Sequence, residues 1–558
     1  MVAAITLLVG VRNMPWLTDF LSYGSYYFIF ALVFTWVLVV VGAARHSGWD
    51  LVAFCRRYWK ALLFTFLAAA MVFVSVPKYF RVLSDETNLL SVARSMTYEK
   101  RVDNVSEGKA YYERFWPGER SVEKRAYMFP FFTHLTHAVL GYDERNVFVL
   151  NFFALWGFLF SLYMLLMPYV GARWSAVALV LVLAQPVICL SATSGSYEIF
   201  NMFFVVLSFL AVRWFINERT AVSFQVMVFN LLVLANIRYE SIVFLVTVIA
   251  LLVFFGYLKK QVLASSLVVT TAPLLMLPWV AQRIVMIDIP DSNLIHQSWV
   301  KSFAVDNMGH NYASLFSYLL NVDGSLGFAG ILDWAGVAAI FIMAGYFIFR
   351  ERRLVSFEKK VFLSAILLAC VLQFLVVISY QGNITDHPLN GRMYFPLVIF
   401  LSVVPVLALS CWSWDRGRGV IAGLLVAGSI FVYYHPVAVE DKLSNNLFIV
   451  RENRYVRDFL SAHADRNVLV ISGRPGQLVG GGYGSISYST ANQEKDTIVN
   501  QFRNHLFSDI YVVQSIDYRT LAPLSDNVVD PAYELEPVSR LQITGSYFFQ
   551  ISKVKNHG

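Results

Sequence analysis

The sequence predicts a polytopic α-helical membrane protein with a small α/β domain at its C-terminal end. Three observations lead there. Of 558 residues, 57% are hydrophobic and only 15% charged, whereas a soluble globular chain is about 45–50% apolar and about 25% charged. The apolar residues gather in runs of roughly 16–23, the length a helix needs to cross a hydrocarbon core of about 30 Å. Residues 435–558 form a polar tail long enough for one small domain.

The runs lie near 25–43, 60–77, 145–167, 174–192, 198–215, 222–237, 240–257, 262–281, 328–349, 361–380, 394–412 and 419–434, about twelve in all. Residues 1–24 read as an interfacial segment or one more span, and 25–434 as the transmembrane domain. The net charge of +7 would suggest nucleic acid in a soluble protein. Here the cations sit mostly in short loops between apolar runs, and no basic stripe with interleaved aromatics is present, so no nucleic-acid partner is expected. Cys55, Cys189, Cys370 and Cys411 lie in or beside apolar runs, with no CxxC pair and no disulfide framework.

Orientation follows from Lys and Arg in the short loops. One alternating set holds Arg45, Arg56, Arg57, Lys60, Arg173, Arg213, Arg219, Lys259, Lys260, Arg350, Arg352, Arg353, Lys359, Lys360, Arg416 and Arg418. The other set holds only Arg238 and Arg392. The first set is therefore cytoplasmic. Both chain ends and the outer loops 78–144 and 282–327 face outside. In the first of these loops MFPFFTHLTHAVLG is apolar but too short to span and reads as a surface helix. In the tail, LFIVRENRYVRDFLSAH reads as an amphipathic helix, and NVLVIS, DIYVVQS and YFFQISKV as strands.

The chemistry-bearing residues gather on the outer side. Asp85 and Glu86 open RVLSDETNLLSVARSM (81–96), where the chain leaves its second span. Ser84 could cap a helix there and the two acids could favour its dipole, an effect of about 0.3–1 kcal/mol. Their position between water and lipid also suits a group that takes one substrate from each phase. Glu198 ends the outer turn SATSGSYE at a span boundary, where an acid is solvated or functional. Lys124, Arg238 and Arg392 are outer cations against the positive-inside trend. Arg238 can pair with Glu240, and Arg392 in GRMYFP, with Tyr394 beside it, suits phosphate recognition. His134, His137, His296, His310 and His387 show no metal-ligand spacing and read as surface or interfacial histidines. The tail stretch ISGRPGQLVGGGYGS lacks the G-K-[ST] ending of a P-loop and does not fit G-x-G-x-x-G. It reads as a flexible loop facing the membrane site, and no nucleotide cofactor is expected.

In order, a span, an outer loop opening on Asp85-Glu86, the segment SVEKRAYMFPFFTHLTHAVLGYDERNVFVLNFF, the acid-bearing turn ending at Glu198 and the late span GRMYFPLVIFLSVVPVLAL resemble the GT-C membrane glycosyltransferases. The resemblance is to the protein O-mannosyltransferases and the lipid A aminoarabinose transferase, and it covers roughly 60–410. It implies a GT-C fold and transfer of a sugar from a polyprenyl-phosphate donor to a protein, lipopolysaccharide or other glycan acceptor outside the membrane. Carried over, Asp85 is the principal catalytic carboxylate, Glu86 its partner and Glu198 the second-turn acid. Lys124 lies on the lipid phosphate, joined by Arg392, Tyr394 and Arg238. The family's Glu-Lys-Pro-Pro is here Glu123-Lys124-Arg125-Ala126. Some relatives hold a divalent cation, for which Glu123, His296 and His310 are the candidates. The implied place is a bacterial inner membrane with the site facing the periplasm.

Two other classes fit the composition. A lipid or sugar transporter or flippase would show paired halves and charges buried within spans; the sequence shows no repeat and reads as lacking such charges. A polymerase or ligase of lipid-linked glycans would differ in its pyrophosphate donor.

Overall fold

An apolar run inside a bilayer satisfies its backbone most simply as a helix, and each expected run falls on helical structure. The computed structural model describes residues 15–259, 265–285, 304–349, 357–380, 388–410, 416–465, 467–542 and 546–555. Helices α1 (Pro15–His46) and α2 (Leu51–Ser75) come first. The outer segment then holds α3 (Leu83–Glu99), strands β1 (Asp103–Val105), β2 (Gly108–Tyr111), β3 (Arg114–Pro117) and β4 (Arg120–Val122), and α4 (Met128–Leu140). Next follow α5 (Asn146–Val170), the pair α6 (Ala172–Leu183) and α7 (Pro186–Ala192), α8 (Glu198–Glu218), α9 (Ala221–Ala235), α10 (Ile242–Lys259) and α11 (Ser266–Val285). The late helices are α12 (Val305–Leu320), α13 (Gly330–Phe349), α14 (Phe357–Ser379), α15 (Phe395–Ser410) and α16 (Arg416–Glu440).

Among the described residues eight helices are long and apolar enough to cross a membrane, and α6–α7 is a ninth candidate bent by 79°. The other three expected runs are the shorter apolar helices Ala221–Ala235, Tyr239–Ala250 and Gly330–Gly345. Residues 15–24, read from sequence as part of an interfacial segment or a further span, form the start of α1 and include a π-helical turn at Phe20–Gly24. Residues 1–14 lie outside the described residues. The bend at α6–α7 falls at Gln185-Pro186, where proline removes a backbone donor and pushes the preceding residue out of the helical region. Gln185 uses the break. Its amide donates to Asp333 at 2.8 Å and to Ser402 at 3.2 Å, and its carbonyl accepts from the Ala329 amide at 2.8 Å. Asp333, in the first turn of α13, is fully buried. The expectation that spans lack buried ionisable groups fails there, because no local pattern announces a partner that arrives from a helix break 148 residues away.

The tail forms α17 (Lys442–Asn445), α18 (Phe448–His463), β5 (Leu469–Ile471), α19 (Gly476–Val479), β6 (Gly484–Ile486), α20 (Tyr488–Gln493), α21 (Lys495–Arg503), β7 (Ile510–Asp517), β8 (Leu535–Gln542) and β9 (Tyr547–Val554). The expected helix and three strands are all present. The unexpected β8 carries Pro537 and a bulge at an exposed edge, where neither proline nor solvated side chains leave a strand pattern. The sheet is not confined to residues 435–558. Its order is β3-β2-β6-β5-β7-β9-β8, so β2 and β3 of the outer loop complete it. Two glycines of ISGRPGQLVGGGYGS serve this docking. A Cβ at Gly480 would stand 3.1 Å from the Thr87 carbonyl of α3, and one at Gly484 only 2.6 Å from the Ala110 amide of β2.

A buried ion pair joins the same two regions. Arg81 and Asp441 are 2% and 1% exposed and meet at 2.7 Å, Nε to Oδ2. Arg81 also donates to the carbonyls of Leu190 (3.0 Å) and Pro77 (2.6 Å), and the Tyr79 hydroxyl donates to Asp441. Removing one partner of such a pair leaves an uncompensated charge, at about 3–5 kcal/mol, whereas removing both is far less costly. Asp441→Leu should therefore lower the thermal unfolding temperature of the detergent-solubilised chain sharply. Arg81→Leu with Asp441→Leu should recover most of the loss. A double variant no more stable than the single one would show that the pair is not coupled in this way.

Candidate active site

Helix α3 begins at Val82, whose carbonyl accepts from the amides of Asp85 (2.9 Å) and Glu86 (3.0 Å). Ser84 lies inside the helix and does not cap it, contrary to the capping read from sequence. Asp85 and Glu86 are thus held in the first turn, where the helix dipole favours a negative charge. Glu198 also lies in a first turn, as the opening residue of α8. Two helix starts therefore aim carboxylates toward one outer region, and the 3₁₀ turn Pro388–Tyr394 ahead of α15 brings Arg392 between them.

The result is an alternating chain of charges. Arg125 binds Glu123 at 2.6 Å and Asp85 through Nε at 3.0 Å. The other oxygen of Asp85 accepts from Arg392 Nη2 at 2.5 Å. Arg392 Nη1 lies 3.1 Å from Glu198 Oε1, but not in hydrogen-bonding alignment. Arg238 stands 3.9 Å from the same Glu198 oxygen and binds Glu240 at 2.9 Å. Apart from Asp85, about one-fifth exposed, every side chain in this chain is buried.

Burial opposes ionisation of Asp85, but the Arg125 and Arg392 guanidiniums outweigh it and hold the carboxyl well below the usual carboxylate range. Glu86 behaves oppositely. One of its oxygens accepts from the Arg81 amide at 2.8 Å and the other has no hydrogen-bond partner. Burial pushes it up to about 7 against the help of Arg392 and Arg81, and Glu198 adds to the rise. The adjacent acids thus divide into one held charged and one able to carry a proton near neutrality.

Several sequence-derived site residues converge and others do not. Asp85, Glu198, Arg392 and Arg238 share the chain. Lys124 is exposed, and its carbonyl accepts from Arg283 at 2.6 Å. Arg125 stands beside Asp85 instead, one residue further on, at the position where the Glu-Lys motif departs from its pattern. Sequence reasoning missed Arg125, although that departure was its signal. Tyr394 is buried with its ring toward Phe374 and its hydroxyl unpartnered. Of the metal candidates, Glu123 is committed to Arg125, His310 is exposed on α12, and His296 lies outside the described residues. No group of three potential ligands occurs among the described residues. His134 and His137, read as surface or interfacial, are buried. The first contacts Tyr26 and Thr97 and the second Asn146, and burial lowers each to about 4. His387 also lies outside the described residues.

This geometry sits in a fold that is already known. ArnT from Cupriavidus metallidurans in the apo state superposes with a TM-score of 0.53 at 12% identity, covering 89% of this chain and 98% of that one. The same protein bound to undecaprenyl phosphate gives 0.54 at the same identity and coverage. The chain has the GT-C fold. A looser likeness, TM-score 0.43 at 13% identity over 80% of this chain and 67% of the other, is to the Archaeoglobus fulgidus oligosaccharyltransferase in complex with Zn and sulfate. No protein-family model matches the sequence, and no curated protein does either.

An acid whose pKa rises on folding is penalised in its charged form. The penalty from Glu86 is absent below its ordinary value of 4.5, grows above it, and is complete once the pH passes about 7. Glu86→Gln should therefore stabilise the fold more at pH 8 than at pH 5, read as the difference in thermal unfolding temperature from the parent. An equal difference at both pH values would contradict the assignment.

Proposed function

We propose that this chain is an inverting glycosyltransferase that takes a sugar from a polyprenyl-phosphate-linked donor and transfers it to an acceptor on the outer face of the membrane, in a bacterial envelope the periplasmic face of the inner membrane. The observation that carries the reading is Asp85 held between Arg125 and Arg392, in a fold shared with a protein seen with undecaprenyl phosphate bound. An acceptor hydroxyl attacking C1 of the sugar must lose its proton as the bond forms, and a placed carboxylate can accept it. The departing phosphate is a stable anion, so it needs cations and not an acid. In this respect the site differs from a glycosidase, which protonates a poor leaving group.

Between two arginines Asp85 is ionised but weakly basic. A donor phosphate competing for Arg392 and Arg125 loosens that hold and raises the basicity of Asp85, so the base becomes effective when the donor is in place. Arg392 has donor capacity to spare, since its Nε and Nη1 make no hydrogen bond. Glu86 is a reservoir for a proton beside the cluster. The acceptor is a glycan, lipid or protein; donor and acceptor identity follow from assay.

The bent pair α6–α7 and buried Asp333 favour a second reading, a lipid or sugar flippase. One assay separates the two. In membranes supplied with radiolabelled polyprenyl-phosphate sugars and envelope acceptor, label should move to the acceptor with inversion at C1. Asp85→Asn should slow transfer by about 10²- to 10⁴-fold, and Arg125→Gln should cost more than Lys124→Gln. Full transfer by Asp85→Asn would refute the assignment, and label crossing the bilayer without acceptor labelling would favour the flippase.

A further inference from the structure

A cavity of about 610 Å³ lies where the outer ends of α2 and α5 meet α18 of the tail domain. None of its lining residues belongs to the charge chain around Asp85. Its floor is aromatic, built by Phe73, Phe148 and Phe152 from the two membrane helices. Its rim is basic. Lys78, Arg145 and Arg454 line it, and no carboxylate among the described residues pairs with any of the three. The two acids of the lining are Glu144, which is bound to Arg457, and the exposed Asp458. Arg145 also immediately precedes the first turn of α5, whose N-terminal amides and dipole favour an anion.

We infer that this cavity binds the phosphate headgroup of an anionic membrane lipid, at a site separate from the charge chain. A soluble anion would use the three cations and leave the aromatic floor bare. A lipid uses both, because the floor continues onto the outward faces of the same helices. Val74 on α2 and Phe153 on α5 are 85% and 53% exposed, so acyl chains can leave the cavity along exposed apolar surface of helices long and apolar enough to cross a membrane. The site adjoins the charge chain without being part of it. Phe80 forms one wall, where Arg457 lies 4.6 Å over its ring. A Cβ built on Gly195 would meet that ring at 2.6 Å and the Glu86 Cβ at 3.3 Å. A bound lipid therefore presses on the ring that packs against the turn leading to Glu198. The inference does not rest on the proposed transfer reaction.

The test uses the full chain in a neutral detergent. Dioleoyl phosphatidic acid, dioleoyl phosphatidylcholine and inorganic phosphate are offered separately, with retained ligand counted by native mass spectrometry. Phosphatidic acid should be retained in preference to phosphatidylcholine. Arg145→Ser with Arg454→Ser should weaken its retention about thirtyfold, the loss of two cations near a lipid phosphate. Val149→Trp, which fills the cavity without changing its charge, should also abolish retention, while Asp85→Asn should preserve it. Thermal unfolding of each variant confirms that it is folded. Equal retention of both lipids, or retention unaffected by both cavity variants, would overturn the inference. Retention of inorganic phosphate equal to that of the lipid would make this a soluble-anion site and overturn it as well. Because Asp85→Asn tests the reaction and Val149→Trp tests the cavity, failure of one is distinguishable from failure of the other.

Discussion

A charge taken out of water at a membrane boundary must be compensated where it stands, and this chain compensates its charges by alternation. Glu123, Arg125, Asp85, Arg392, Glu198, Arg238 and Glu240 come from five separate places in the sequence, and each carboxylate faces at least one guanidinium. Desolvating two ions costs several kcal/mol each, which only close geometry offsets. The surrounding elements supply that geometry. Two helix starts fix Asp85 and Glu198, a 3₁₀ turn fixes Arg392, and Gln282 on α11 donates to the carbonyls of Glu123 and Arg125 at 2.7 and 2.8 Å. Satisfaction is nonetheless incomplete. Both oxygens of Glu198 and two nitrogens of Arg392 lack hydrogen bonds, and buried polar groups left short in this way mark a place where another partner can enter.

The tail domain belongs to the same construction. Its sheet takes two strands from the loop that carries Glu123 and Arg125, its glycine-rich turn lies on the helix that carries Asp85 in its first turn, and Arg81 is both anchored to Asp441 and bound through its amide to Glu86. A disturbance of the tail therefore reaches the acids through α3 and the segment just before it.

Much of this was legible in the sequence, and the parts that were not share a cause. The spans follow from hydropathy, the tail strands from short β-branched and aromatic runs, α4 from an apolar stretch too short to span and α18 from amphipathic spacing, all of them local signals. Asp85, Glu198 and Arg392 were found because each stands at a span boundary where a charge is conspicuous. Lys124 was preferred over Arg125 because it matches the Lys of the family's Glu-Lys motif, and pattern cannot say which of two adjacent cations turns inward. Arg81 with Asp441, and Gln185 with Asp333, were invisible because each pair is joined across 360 and 148 residues. His134 and His137 looked interfacial because they stand in an outer loop without metal-ligand spacing, yet both lie on the buried side of their helix.

The shared sheet also bears on how the protein is made. Lys109 of β2 pairs with Glu494, 385 residues later, and β2 meets its neighbour β6 only within the tail, at Ser485. During synthesis the outer loop emerges early, and its strand edge waits unpaired until nearly the whole chain has been translated. Loop closure over such a span is slow. The residues of the charge cluster are all made before β6 is, so the loop that carries Glu123 and Arg125 gains its sheet partner only after the cluster's last member, Arg392, has been synthesised.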